Sequence, residues 1–227
     1  MTSGLNARDV TVDVDDARLD GMLRVPRTPS GLVVFAHGSG SSRFSSRNQY
    51  VAGVLNDAGM ATLLFDLLTA DENRVDERTR EYRFDIELLA RRLAGSIDWL
   101  DRQRDVARLP IGLFGASTGA AAALIAAAER PDNVAAVVSR GGRPDLAERA
   151  LAFVRAPTLL IVGSLDGVVI DMNRSAAAQL TCPHHLQIVP GATHLFEEPG
   201  KLEEVARLAR DWFAEHFAAF AARGARS

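Results

Sequence analysis

Apolar positions along the chain fall into two kinds of run. Between residues 8 and 25, Val10, Val12 and Val14 alternate with polar neighbours, and Leu19, Met22, Leu23 and Val25 follow before Pro26. That alternation predicts two short strands around a turn, an antiparallel hairpin at the edge of a sheet. From 32 to 36 the run LVVFA is apolar throughout and stops at His37-Gly38-Ser39-Gly40, the pattern of a strand buried on both faces. Similar runs recur as MATLLFDL at 60–67, IGLFGA at 111–116, VAAVVSR at 134–140, TLLIVGS at 158–164 and HLQIVPGA at 185–192. Helical spacing fills the intervals: about 48–58, a long amphipathic stretch about 82–104, the Ala-rich 118–130, a short piece near 144–153, another near 172–180, and a terminal helix over 202–220. Buried strands alternating with helices predict an α/β fold. Its sheet has about eight strands, is mostly parallel with right-handed crossovers, and carries helices on both faces.

No fixed-period repeat and no composition shift marks a second unit, so residues 1–227 read as a single α/β domain. The polar segment 69–80, TADENRVDERTR, is the only long loop-like stretch and suits a solvated loop or a helix start. The net charge of −3, from 26 basic against 29 acidic residues, provides no global basic surface and argues against nucleic acid as a partner. Cys182 stands alone, which rules out an intrachain disulfide and any zinc or iron–sulfur framework built on paired cysteines, and fits a reducing cytoplasm. Neither a signal-peptide pattern at the start nor an apolar run near the roughly 18 residues of a membrane span occurs, which disfavours export and membrane insertion.

The candidate chemistry sits where strands end. Gly115-Ala116-Ser117-Thr118-Gly119 fits G-x-S-x-G, follows a buried strand and opens a helix, the strand-turn-helix setting of a nucleophile elbow. An isolated Ser-Gly pair is more simply a turn, so the reading depends on partners: a serine hydroxyl needs a base, and the base needs an orienting group. Asp166 follows the strand at 158–164, and His194 follows the strand at 185–192. The three would meet at the carboxyl edge of the sheet, where open α/β sheets place their ligands, in the chain order Ser, Asp, His of α/β-hydrolases. Asp166 has a plainer reading as a turn residue before Gly167, but Asp145 and Asp171 are placed less suitably. His37, His184, His185 and His216 do not follow a strand at that edge in the way His194 does. An oxyanion hole would take the Thr118 N–H and a second donor from the loop after LVVFA, with Ser39 the first choice and Gly40 the next.

Arg140 and Arg143, in SRGGRPD, share this edge. A guanidinium fork there suits a substrate carboxylate; the favoured, plainer reading is an ion pair with Asp145 or with Glu197 and Glu198, and neither arginine is counted as catalytic. Cys182 reads as inert. The stripe Trp212, Phe213, Phe217 and Phe220 reads as core, although a long terminal helix could also serve a homodimer contact.

Taken together, VVFAHGSGSS, ATLLFDLLT, GLFGASTGAAAAL, SRGGRPDLA, APTLLIVGSLDGVV and VPGATHLFEEPG resemble the dienelactone-hydrolase-like branch of the α/β-hydrolase superfamily, over nearly the whole chain. The resemblance implies an α/β-hydrolase fold with Ser117, Asp166 and His194 as triad. Dienelactone hydrolases proper carry a cysteine nucleophile, so Ser117 points to ester hydrolysis more generally. The interval 139–157 has room for one short helix and no inserted cap, which implies an open pocket for small or short-acyl substrates. The expected activity is that of a serine carboxylesterase acting through an acyl-enzyme, with no metal or organic cofactor. Thioesterase, lactonase or acyltransferase chemistry would use the same triad, and a non-catalytic small-molecule binding protein on the same fold is the alternative from another class.

Overall fold

A computed structural model describes residues 5–224. The expected hairpin forms from β1 (Asn6–Val14) and β2 (Ala17–Val25), paired antiparallel with Val14 opposite Ala17. β2 also runs antiparallel to β4 (Ala61–Phe65). From β4 onward the ladder is parallel, through β3 (Leu32–Ala36), β5 (Ile111–Ala116), β6 (Val134–Arg140), β7 (Thr158–Gly163) and β8 (His184–Val189). The spatial order is β1-β2-β4-β3-β5-β6-β7-β8. After β3 the chain first adds a strand on one side and then crosses to the other, so the switch point lies between the carboxyl ends of β3 and β5.

The period of two decides which layer each strand residue feeds. In β3, Leu32, Val34 and Ala36 join one apolar cluster while Val33 and Phe35 join the other, and all five are buried. The first cluster lies under α3 (Ile86–Leu100) and α4 (Thr118–Glu129); the second lies under α1 (Ser46–Asp57) and α6 (Lys201–Gly224). Residues Ala120 to Ala123 of α4 are fully buried, because methyl-sized side chains let this helix sit directly against the sheet and α3. Phe213 and Phe217 are also fully enclosed, so the aromatic stripe of α6 is core on that face. Among the described residues no helix is long and apolar enough to cross a membrane.

Three local elements differ from the sequence expectation. The polar segment 69–80 holds a complete helix, α2 (Ala70–Thr79), started by a capping box in which Thr69 and Glu72 each satisfy the other's backbone N–H. The helix expected near 172–180 begins earlier, as α5 (Gly167–Ala177), directly after Asp166. Between β6 and β7 the chain forms a kinked 3-10 segment, Pro144–Phe153, with Glu148 at φ 46°.

Glu72 also anchors α2 to α3. Both its carboxylate oxygens accept from Arg92 at 2.7 Å, and Arg92, only 2 % exposed, donates further to the Leu67 carbonyl. The Arg92 guanidinium, together with the Thr69 N–H, holds the Glu72 carboxyl down at about 2 against an ordinary 4.5. A carboxylate more acidic in the folded state stabilises above its unfolded value and stops doing so as pH falls through the folded one. The fold is therefore expected to lose about 3 kcal/mol between pH 4.5 and pH 2 through this group. Glu72→Gln should remove a comparable amount at pH 7, read as a lower urea midpoint, because it takes away the closer of the two carboxylates, Glu72 and Asp16, that pair with the buried Arg92.

Candidate active site

Ser117 stands between β5 and α4 with φ 51° and ψ −123°, a region that residues with a side chain occupy only under constraint. It occupies the N-cap position of α4, yet its hydroxyl makes no capping bond. The turn is held from outside: Ser117 N–H donates to the Arg140 carbonyl at 3.3 Å, and the Ser117 carbonyl accepts from the N–H groups of Ala120 and Arg143 at 3.1 and 3.0 Å. Space sets the flanking residues. A Cβ on Gly115 would overlap the Ala120 backbone, one on Gly119 would overlap the carbonyl oxygen of Ala36, and one on Gly38 would come within 3.0 Å of Ser117 Cβ.

Asp166 repeats this logic one loop along. It is the N-cap of α5, and its carboxylate does not cap that helix but accepts from His194 Nδ1 at 2.7 Å. A carboxylate partner fixes the proton of neutral His194 on Nδ1 and leaves Nε2 with a free lone pair. The acid and base loops are stitched together: Leu165 N–H donates to the Ala192 carbonyl at 3.0 Å, Gly191 N–H to Ser164 Oγ at 2.8 Å, and Gly163 leaves no room for a Cβ against Ala192. The His194 loop is closed by Glu198, which accepts from Thr193 N and Oγ1 at 3.1 and 2.6 Å, while Phe196 turns into the core with φ 57°. His194 lies over the end of β6, where a Cβ on Gly141 would come within 3.5 Å of its imidazole. Ser117, Asp166 and His194 thus all follow the carboxyl ends of parallel strands. Among the described residues no hydrogen bond joins the Ser117 hydroxyl to His194.

Thr118 N–H opens α4 and belongs to the first turn, where donors have no intrahelical partner. Ser39 N–H, the first choice for the second donor, donates to the Thr118 hydroxyl at 3.0 Å. Gly40 turns at φ 70° towards Arg83, whose Nη1 would lie 3.1 Å from a Cβ there. The two arginines also separate. Arg143 forks onto Asp145 at 2.7 Å, the plainer of its two readings, whereas Arg140 is buried and pairs with neither Asp145 nor Glu197. A cavity of about 710 Å³ lies beside the loop 37–42 and is lined by Phe44, Leu68, Leu89, Arg43 and Arg83 among others; Ser117, Asp166 and His194 do not line it.

His37 was assigned in sequence only to a loop, but it is the clamp of that loop. Its Nε2 accepts the Leu67 N–H at 3.1 Å, so Nδ1 carries the proton and faces the Gly38 carbonyl at 3.0 Å. Nothing in a lone His-Gly pair signals this; it follows from β4 ending beside β3.

A serine held in this conformation at the same sheet edge as an Asp–His pair is an arrangement that can raise an alcohol's nucleophilicity. Comparison with known proteins agrees with that chemistry at the level of family: the model of the dienelactone hydrolase family matches residues 19–223. The chain belongs to the dienelactone hydrolase family. A crystal structure of dienelactone hydrolase from Anabaena variabilis superimposes with a TM-score of 0.92, at 57 % identity over 93 % of this chain and 98 % of that one. Est1E from Butyrivibrio proteoclasticus, at 18 % identity and a TM-score of 0.76, shares the fold over 92 % of this chain and 99 % of that one. A Mycobacterium tuberculosis protein named "Putative phosphoribosyl transferase Rv0571c" is 59 % identical over 93 % of this chain. The match covers 47 % of that protein, so the chain spans about half the length of these curated relatives.

Burial pushes the His37 imidazole below its ordinary 6.5. A histidine that resists protonation when folded stabilises the protein above its unfolded value, and that contribution is lost as pH falls below 6.5. Stability measured by urea denaturation is expected to fall with decreasing pH below 6.5, and in His37→Gln the slope should be shallower by up to one proton.

Proposed function

We propose that the protein is a serine hydrolase that cleaves carboxylic esters of small or short-acyl substrates through an acyl-enzyme. The carrying observation is the 2.7 Å bond from His194 Nδ1 to Asp166 at the same sheet edge as a serine at φ 51°. Ser117 Oγ attacks the ester carbonyl carbon while its proton passes to His194 Nε2. Asp166 keeps the imidazole in the Nδ1–H tautomer and stabilises the imidazolium. The carbonyl oxygen, now an alkoxide, is held by Thr118 N–H and, once the Thr118 hydroxyl gives it up, by Ser39 N–H; one such donor is worth about 10²–10³ in turnover. Collapse of the tetrahedral species breaks the bond to the leaving alkoxide, which takes the proton from Nε2. Water then repeats the sequence, with His194 as base and Ser117 as leaving group. The chemistry draws on no metal or organic cofactor.

His194, with 39 % of its side chain exposed, is open to the water that the second half-reaction requires. The phosphoribosyl transferase name of the mycobacterial relative is not carried over, since it describes a protein of which this chain matches 47 %.

Ser117→Ala is expected to abolish turnover of a short-chain p-nitrophenyl ester with an unchanged melting temperature; turnover retained in that variant refutes the assignment. Asp166→Asn should lower kcat by about 10⁴-fold through the wrong imidazole tautomer. Thioesters and lactones in the same assay define the leaving group. Labelling of Ser117 by a fluorophosphonate without turnover of any of these substrates would favour a binding protein on this fold.

A further inference from the structure

Asn173 stands in the middle of α5 and is wholly enclosed. Its side-chain amide donates twice: Nδ2 reaches the Val169 carbonyl, one turn back on the same helix, at 2.8 Å, and the Gly142 carbonyl, in the loop after β6, at 3.0 Å. Its Oδ1 is enclosed without a partner among the described residues. A buried amide at mid-helix is a poor choice for stability, because asparagine favours helices weakly and an unsatisfied buried carbonyl leaves its desolvation uncompensated. An aliphatic side chain of that size would carry neither cost. The bond to Gly142 is what such a residue could not make.

The loop that receives this bond meets two of the three site residues. Arg143 N–H donates to the Ser117 carbonyl at 3.0 Å, and Gly141, whose own N–H is held by the Ile161 carbonyl at 2.8 Å, lies against the His194 imidazole. Gly142, between them, is packed so closely that a Cβ there would overlap Ser139 Oγ and the Ala120 side chain in the first turn of α4. Asn173 for its part lies about two turns beyond Asp166, the N-cap of the same helix. One amide therefore joins the helix that presents the acid to the loop that braces the nucleophile turn and lies against the base.

We propose that Asn173 is a positioning residue for the hydrolysis, its amide setting the separation between Ser117 and the Asp166–His194 pair. The proposal rests on the serine-hydrolase reading of Ser117. Asn173 touches neither substrate nor reacting atoms; it acts through the Gly142 carbonyl. Without that bond the loop 141–143 keeps Gly141 on β7 and Arg143 on Ser117 but loses its link to α5, so the acid helix and the nucleophile turn can drift apart. Nucleophilic attack and proton transfer demand near-contact geometry, and a displacement of about 1 Å costs up to about 10²-fold in rate. Ground-state binding of the ester makes no such demand, so the loss falls on kcat and spares KM.

Asn173→Thr isolates this bond. A threonine hydroxyl can still donate to the carbonyl four residues back, here Val169, and fills a similar volume, but it is one bond too short to reach Gly142. With a short-chain p-nitrophenyl ester, kcat per active site, counted by complete fluorophosphonate labelling, is expected to fall about tenfold to a hundredfold while KM stays within about twofold of wild type. A residue that only stabilises the fold would lower the number of sites that label and leave kcat per labelled site unchanged; that result, or a rise in KM alone, overturns the proposal. Amide hydrogen exchange reads the tie without turnover. The Arg143 N–H, held in the wild type by the Ser117 carbonyl, should exchange faster in Asn173→Thr, by about tenfold more than the Leu113 N–H of β5, which reports the stability of the whole fold. Equal acceleration of the two amides overturns the proposal. Wild-type protein that turns over no ester refutes the hydrolase reading and this role with it, whereas wild-type turnover that Asn173→Thr leaves untouched refutes the role alone. Should Asn173→Thr fail to fold, Asn173→Ser, smaller and with the same reach to Val169, is judged by the same criteria.

Discussion

The backbone must pass from β5 to α4 within one residue, and it does so at Ser117 with φ 51° and ψ −123°. Holding a residue with a side chain there costs about 1–3 kcal/mol, so the surroundings must over-determine it. They do so from three directions. The packing of α4 on β3 and β5 leaves no space for a Cβ at Gly115 or Gly119, the Arg140 carbonyl at the end of β6 takes the Ser117 N–H while the Arg143 N–H just beyond it donates to the Ser117 carbonyl, and Gly38 closes against its Cβ. Both glycines of G-x-S-x-G are thus demanded by proximity, since neither is among the positive-φ residues. Once the turn is fixed, the serine hydroxyl cannot cap its helix, and Asp166 forgoes capping in the same way to meet His194. Two residue types that ordinarily stabilise helix starts are diverted from that role at the same sheet edge.

What the sequence made legible follows from how strongly each feature is imposed locally. Continuous apolar runs as short as LVVFA, bounded by turn residues, suit strands buried on both faces, and these runs appear in the sheet. The positions of Ser117, Asp166 and His194 were equally readable, because each directly follows such a run. Helix α2 was not, because its 69–80 segment has almost no apolar stripe; its start is set by the reciprocal Thr69–Glu72 bonds and its docking by Arg92, twenty residues further along. The hydrogen bond from Ser39 N–H to the Thr118 hydroxyl was not legible either, since it joins a loop to the first residue of α4 across 79 positions of sequence. Arg140 and Arg143 look alike in SRGGRPD. Strand alternation sends Arg140 to the buried face that holds Val138, while Arg143, beyond the strand, reaches Asp145 two residues on.

Charge is distributed unevenly across the edge as a result. On the β3–β4 side, Asp66 holds the Arg43 side chain and its N–H, and Asp76 binds both the backbone and the guanidinium of Arg83. These pairs brace the wall of the large cavity while leaving it close to neutral. His37, kept uncharged by burial, ties the same wall to the loop that holds Ser39. On the β6 side the single cation Arg140 has no such brace, although the loop beside it carries Glu197 and Glu198. Glu197 is spent on Arg47 and Glu198 on Thr193, so the nearest carboxylates already serve other groups.

The link between β6 and β7 leaves the carboxyl edge open. The 3-10 segment Pro144–Phe153 is too short to cover the carboxyl edge, and the side chains of Leu165, Val168 and Leu195 around Asp166 and His194 stay exposed. An enzyme with a cap can exclude water and select substrates by enclosure; here both tasks fall to the substrate and the rim. A substrate covering Leu165, Val168 and Leu195 would remove apolar surface from water and, in the same motion, lower the dielectric around the His194–Asp166 pair, strengthening the electrostatics on which proton transfer depends. A ligand too small to reach that rim leaves His194 wet and gains none of this. For the proposed hydrolase, the open edge would tie turnover to how much of the rim a substrate covers.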